Sequence, residues 1–265
     1  MTDALYSASH GAASLNTQLV PIASVHKQDI SVIRVPLNAG TEFYDKLDLR
    51  SPAGFLLTPI LAPDAPAIAR LYPSARIGII GAPAAAAKGR ISVIEFDDAD
   101  AMTRVGEHLA TFAAAKAVQR SSGEQQLPVR VEVLFTTENE VERTNLAAFR
   151  RGATAHADPG VRFQYVTFTT VPTRDQVREI ILRGKGAVAF AFFTGSMDAY
   201  CMELVAGDSA KVALSGSAAI EAYPDQLLCT VEEPLATAVD AFLSETGQVI
   251  HARAQVVCPS YSTIR

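Results

Sequence analysis

Ala187-Val-Ala-Phe-Ala-Phe-Phe193 is an unbroken apolar run. A strand with one wet face alternates apolar and polar residues. A strand covered on both faces does not, and such runs belong to parallel sheets flanked by helices. The neighbouring stretches fit that reading. Upstream, Val129-Arg-Val-Glu-Val-Leu-Phe135 reads as a strand and Glu140 to His156 as a helix carrying apolar Val141, Leu146, Ala148 and Phe149. Arg162 to Phe168 is then a strand and Arg174 to Leu182 a helix. Downstream come a helix over Met197 to Val205 and strands at Lys211–Leu214 and Gln226–Val231. Pro234 opens a helix at its tolerated first position, the helix runs to about Glu245, and Val249 to Val257 forms a last strand.

The N-terminal half repeats the alternation. Ile30-Ser-Val-Ile-Arg-Val-Pro-Leu37, Gly54 to Thr58, Arg76-Ile-Gly-Ile-Ile80 and Ile91-Ser-Val-Ile-Glu-Phe96 read as strands. Ala65 to Tyr72 is a helix stopped by Pro73, and Asp97-Asp98 caps a helix through Ala101, Val105, Leu109 and Phe112. Strict β-α alternation implies parallel sheets covered by helices, an α/β fold. The polar stretch Gln119-Arg-Ser-Ser-Gly-Glu-Gln-Gln-Leu-Pro128 breaks it near the middle. The expected organisation is two Rossmann-like lobes: residues 1–118 with about 232–247, a crossover linker at 119–128, and residues 129–231 with about 248–265. A single doubly wound domain is the alternative.

Composition narrows the function. The chain has 265 residues, 49% of them hydrophobic, and a net charge of −5. Its Lys and Arg residues are scattered, which argues against the clustered basic surface that nucleic acid requires. Cys201, Cys229 and Cys258 give neither a disulfide framework nor a zinc spacing and read as buried small hydrophobes. No apolar run is long enough to span a membrane, and the first residues do not read as a signal peptide.

Catalytic motifs are incomplete. Gly78 and Gly81 in Arg76-Ile-Gly-Ile-Ile-Gly-Ala-Pro83 do not make a dinucleotide fingerprint, and no phosphate loop follows. Ser196 in Thr194-Gly-Ser-Met-Asp198 lacks the closing glycine of a nucleophile elbow. His10, His26, His108, His156 and His251 have no partner at catalytic or metal spacing. An enzyme is therefore the least favoured reading, and no cofactor or metal is expected. Polar and small residues instead follow the strands: Asn38, Thr58, Asp98, Asn139, Thr194-Gly195 and Ser215-Gly216-Ser217, with Phe168 among them. Ligands of open parallel sheets bind outside the carboxyl ends of strands. Thr58, Asp98, Arg143, Phe168, Gly195 and Ser217 are thus the candidate ligand contacts in an interlobe cleft. Two of them have simpler roles open to them. Asp98 can cap a helix, and Arg143 can pair with a nearby glutamate.

Ala53-Gly-Phe-Leu-Leu-Thr-Pro59 with the helix after it, Tyr72 to Pro83, Ile91 to Phe96, and Pro224-Asp-Gln-Leu-Leu-Cys-Thr-Val231 together resemble the basic membrane protein family of ABC-transporter substrate-binding lipoproteins. The resemblance covers roughly residues 30–257 and implies a type I periplasmic-binding fold. It further implies a small polar solute, nucleoside-like or sugar-like, held by hinge closure. The implied partner is a membrane permease, and the implied location periplasmic or lipid-anchored. Nothing before residue 12 reads as the family's first strand, so that strand is expected to be missing. The family's ribose-contacting Asp falls near Ser215–Ser217, and its Lys after the last crossover falls at Glu232–Glu233. The alternatives are a ligand-sensing regulatory domain of the LacI type and a degenerate, non-binding member.

Overall fold

The computed structural model describes residues 1–3, 12–36, 39–47, 49, 51–81, 84–120, 128–156, 158–215, 223 and 225–258. In chain order its elements begin β1 (Thr2–Asp3), α1 (Ala12–His26), β2 (Arg34–Val35), α2 (Thr41–Asp45), β3 (Gly54–Leu57), α3 (Ala65–Leu71), β4 (Arg76–Ile80) and β5 (Ile91–Asp97). They continue with α4 (Ala99–Arg120), β6 (Val129–Thr136), α5 (Glu140–Ala155), β7 (Val161–Phe168), α6 (Arg174–Arg183), β8 (Ala189–Phe193) and α7 (Asp198–Val205). The last are β9 (Lys211–Ser215), β10 (Leu227–Glu232), α8 (Leu235–Ser244), β11 (Val249–Arg253) and β12 (Gln255–Val257). The chain divides into two compact units, Met1–Asp97 with Glu233–Arg253 and Asp98–Glu232 with Ala254–Arg265.

In the first unit β3, β4, β5 and β11 form a parallel ladder. A first strand is present, contrary to the sequence expectation. β1 pairs in parallel with β2 through Thr2↔Arg34 and Asp3↔Val35. The amino group of Met1 donates to Leu56 O, and Met1 O accepts from Thr58 N at 3.2 Å. Met1 thereby ties β1 to the end of β3, beside the four-stranded ladder β3-β4-β5-β11. A two-residue strand carries no periodicity, so pattern reading passes over it. Of the strand expected over Ile30–Leu37, the described residues 30–36 keep Arg34–Val35, the length of its partner β1, and Leu37 lies outside the described residues. Leu57, Ile68 and Ile77 fill the core on one face of the ladder, and Ile94, Phe242 and Ile250 on the other.

The second unit has the order β12-β10-β9-β8-β6-β7, all parallel except β12, which is antiparallel to β10. β8 is buried on both faces, as its apolar run predicts. Ala189, Ala191 and Phe193 face the cluster shared with α4 and α5, while Phe190 and Phe192 face the one shared with α6 and α7. Each fully buried Phe or Leu in such a layer contributes about 1.5–3 kcal/mol. The strand predicted over Val249–Val257 is two strands that serve different sheets, broken at Ala254. The chain also passes between units at Asp97/Asp98, not in the polar stretch 119–128, of which 121–127 lie outside the described residues. The reason lies in α4. Its stripe of Ala101, Val105, Leu109 and Ala113 packs with α5 and with Val129 and Val231 of the second sheet.

α4 and α5 lie nearly backbone to backbone. A Cβ on Gly152 would stand 1.9 Å from Thr103 O, and one on Gly106 would stand 2.2 Å from Phe149 O. Thr103 Oγ1 reinforces the crossing by donating to Ala99 O at 2.9 Å and Ala148 O at 3.3 Å. Because both clashes are with backbone, a side-chain shift cannot relieve them. Gly152→Ala is expected to cost ~3 kcal/mol or more by forcing the helices apart. Chemical denaturation that finds its midpoint within error of the parent would contradict this packing.

Candidate functional site

In the second unit β6 is the first strand. The chain then places β7 on one side of β6 and β8 on the other. This reversal is a topological switch point, where the loops leaving β6 and β8 diverge and open a crevice at the strands' carboxyl ends. Alternation along β6 puts Thr136 on the same face as Leu134, the α6/α7 face. Phe168 is the register partner of Thr136 on β7, and its ring packs against the cluster on that face. Thr194 follows β8 and turns toward α7. Thr136 is 3% exposed, and its Oγ1 is buried with no hydrogen bond to any described group. A buried hydroxyl without a partner costs roughly 1–3 kcal/mol. Next to it, Thr137 closes the β6–β7 ends, donating through N and Oγ1 to Phe168 O at 2.7 and 3.2 Å.

Asp198 is the buried charge of this edge. Its Oδ1 accepts from Thr194 N at 2.6 Å and from Thr194 Oγ1 at 2.7 Å, and the Ser215 N–H also donates to the carboxylate. The side chain therefore ties the end of β8 to the end of β9. Burial pushes its pKa up to about 7, against the lowering effect of the Thr194 and Ser215 hydrogen bonds. Sequence reading passed Asp198 over, although a signal was there. Cys201, Met202 and Val205, at +3, +4 and +7, are all buried, so Asp198 stands on the inward stripe of α7.

The sequence candidates are placed unevenly. Gly195, at φ +67° with open space about it, begins the turn after β8 and is at the crevice. Phe168 is half-buried there, as packing rather than as a free ring. Arg143 is exposed in the first turn of α5, with Nη2 2.8 Å and Nε 3.2 Å from Glu140 Oε2. Asp98 stands before α4, where its carbonyl accepts from Met102 N at 2.8 Å. Its Oδ2 accepts from the buried Asn145 at 3.3 Å. Thr58 belongs to the first unit; it is 1% exposed, and its backbone is committed to Met1 and Leu61. Ser217 and Asn38 lie outside the described residues. Asn139 and Glu142 form a reciprocal capping box at the start of α5, with Glu142 N to Asn139 Oδ1 at 2.9 Å and Asn139 N to Glu142 Oε2 at 3.2 Å. With Glu138 and Glu140 beside it, that helix start is acidic and already satisfied.

In the first unit a hollow of about 540 Å³ lies among α1, α8, residues 28–33 and β3. It is lined by Leu19, Phe55, Leu56 and Phe242, and by none of the predicted contacts. Among the described residues no helix is long and apolar enough to cross a membrane, and no group of three His, Cys, Asp or Glu is placed to hold a metal ion.

No protein-family model matches the chain, and no curated relative matches it. Solved structures do. The chain is similar to a transcriptional activator of the comK gene from Bacillus halodurans, at TM-score 0.61 and 13% identity over 100% of this chain and 92% of that one. It is also similar to an ABC transporter solute-binding protein from Aeropyrum pernix K1, at 0.55 and 12% over 93% and 73%. A periplasmic ribose ABC transporter protein from Conexibacter woesei DSM 14684 matches at 0.52 and 15% over 97% and 90%. At these identities the likeness shows the fold: two α/β units of the type I periplasmic-binding class. These three are a regulator and two transport proteins.

The raised pKa of Asp198 has a consequence for stability. Protonation favours the folded state, so this residue's contribution is fully present below about pH 4. It is lost as the pH rises through about 7. Between pH 4 and 8 the melting temperature of the parent is expected to fall relative to that of Asp198→Asn, which carries no titrating carboxyl. Parallel melting-temperature profiles for the two proteins would refute the buried placement.

Proposed function

We propose that the chain is a solute-binding protein for a small, neutral, polyhydroxylated ligand, recognised at the strand ends of the β6–β8 switch point. The observation that carries the reading is the Thr136 hydroxyl, buried and without a partner among the described residues at the place where this topology opens. A ligand hydroxyl is a natural complement, because it can donate and accept. Gly195 keeps the opposite wall low. Glu138, Glu140 and the self-capped start of α5 disfavour an anion. The likeness to a ribose ABC transporter protein supports a sugar-like solute. A permease as partner and a location outside the cytoplasm follow from the same reading. The nucleoside-like end of the range, the basic membrane protein lineage and a lipid anchor rest on the sequence resemblance alone.

The likeness to the comK activator favours a second reading, an effector-sensing domain of a regulator that uses the same ligand site. Fractionation of the source cells separates the two, since a regulator stays with the cytoplasm.

The binding claim is tested by thermal shift against pentoses, hexoses, cyclic polyols, nucleosides and amino acids. Ligand at a hundred times Kd stabilises by about 2.7 kcal/mol. A positive solute from the polyol group is expected. Thr136→Val, which keeps the shape and removes the hydroxyl, should leave the ligand-free protein as stable or more so. It should weaken binding about tenfold, ~1.4 kcal/mol. Silence with every solute, or an unchanged Kd in Thr136→Val, would sink the assignment.

A further inference from the structure

All three cysteines are free: Cys201 and Cys229 are buried, and Cys258 is exposed. Two of them are neighbours across a ladder. β10 and β12 are antiparallel with Thr230↔Val257, Val231↔Val256 and Glu232↔Gln255. Continuing that register by one residue sets Cys258 directly opposite Cys229. Opposed residues of an antiparallel pair have Cα atoms about 4.5–5.5 Å apart, within the roughly 4.4–6.8 Å that a disulfide spans.

The side chains also share a face. β10 shifts register against β9 between Leu227 and Cys229, and this bulge breaks the alternation, so Leu228 and Cys229 both belong to the α4-side cluster. Ala254 and Val256 pack on that same cluster, and two residues further along Cys258 meets α4, its Sγ 3.8 Å from His108 Nε2. Cys229, one register step beyond Thr230, faces that sulfur from β10. An exposed sulfur thus lies between an imidazole and a second, buried thiol.

We infer that Cys229 and Cys258 are a disulfide-forming pair, with exposed Cys258 as the attacking thiolate and Cys229 as the resolving thiol. The oxidant is a low-molecular-weight disulfide. Cys258 Sγ attacks one of its sulfurs, the S–S bond breaks and one thiolate leaves, giving a mixed disulfide on Cys258. Cys229 then gives up its proton, attacks Cys258 Sγ and expels the second thiolate. Two protein thiols are oxidised, one small disulfide is reduced to two thiols, and the two cysteine protons end on those thiols. The groups acting on the Cys258 thiol are Cys229 from β10 and His108 from α4. Cys229 is the larger influence and His108 the smaller. Together they outweigh burial and bring the thiol down to about 6. Cys201, by contrast, is pushed up to about 12 by burial.

The bond would close the segment that leaves this unit after Glu232 and returns at Ala254, so α8 and β11 would lie within its loop. A covalent tie of that length raises stability by restricting the unfolded chain.

The full chain, reduced and then treated with oxidised glutathione, tests this by thiol counting and peptide mass spectrometry. One thiol, that of Cys201, should remain, with Cys229 and Cys258 peptides joined and a melting temperature several degrees higher. Cys229→Ser should stop at the glutathione adduct on Cys258. Alkylation of Cys258 by iodoacetamide should follow a midpoint near pH 6 and move upward in His108→Gln, a surface change that leaves the fold intact. Three titratable thiols after oxidation, bonds only between molecules, or a Cys258 midpoint near 9 would overturn the assignment.

Discussion

Backbone hydrogen bonds from β8 to β6 on one side and to β9 on the other leave the middle strand of the second unit no free edge, and apolar clusters cover both its faces. Everything else in that unit follows from this ladder. Parallel strands must be joined by crossovers, so helices cover both faces, and the carboxyl ends of the five parallel strands fall on one edge. That edge is where backbone pairing stops, and polar side chains take over the pairing. Thr137 closes the β6–β7 ends, and Asp198 with Thr194 closes the β8–β9 ends. The gap between those two closures is the switch point. Thr136 lies in that gap.

The two units are built to one scheme. In the first, β3, β4, β5 and β11 run parallel, and in the second β7, β6, β8, β9 and β10 do. Thr58 and Thr194, both buried, follow the third strand in each case. The schemes part at the edges, where β11 is parallel to β5 and β12 antiparallel to β10. The antiparallel edge, with the bulge beside it, brings two cysteines together from residues 229 and 258.

Much of the fold was legible in the residues, because burial on two faces leaves an apolar run and burial on one helix face leaves a 3.6-residue period. Ala187–Phe193, Val129–Phe135 and Glu140–His156 are found close to where the pattern puts them. The candidate site was legible only in outline. Strand ends can be located, but side-chain commitment cannot. Arg143 proved to be paired with Glu140 and Asp98 hydrogen-bonded to Asn145, while Asp198 was hidden in an incomplete nucleophile motif.

The sequence by itself determined the α/β class, the run of the elements and the absence of a complete catalytic motif, since these depend on local period and spacing. Only the tertiary structure decided which unit each element joins. α4 goes to the second unit because two glycines, 46 positions apart by their numbers (Gly106 and Gly152), let its backbone touch α5. The run from Val249 to Val257 divides because its halves find different partner strands. Register and close approach depend on residues far apart in the chain, and no local pattern encodes them.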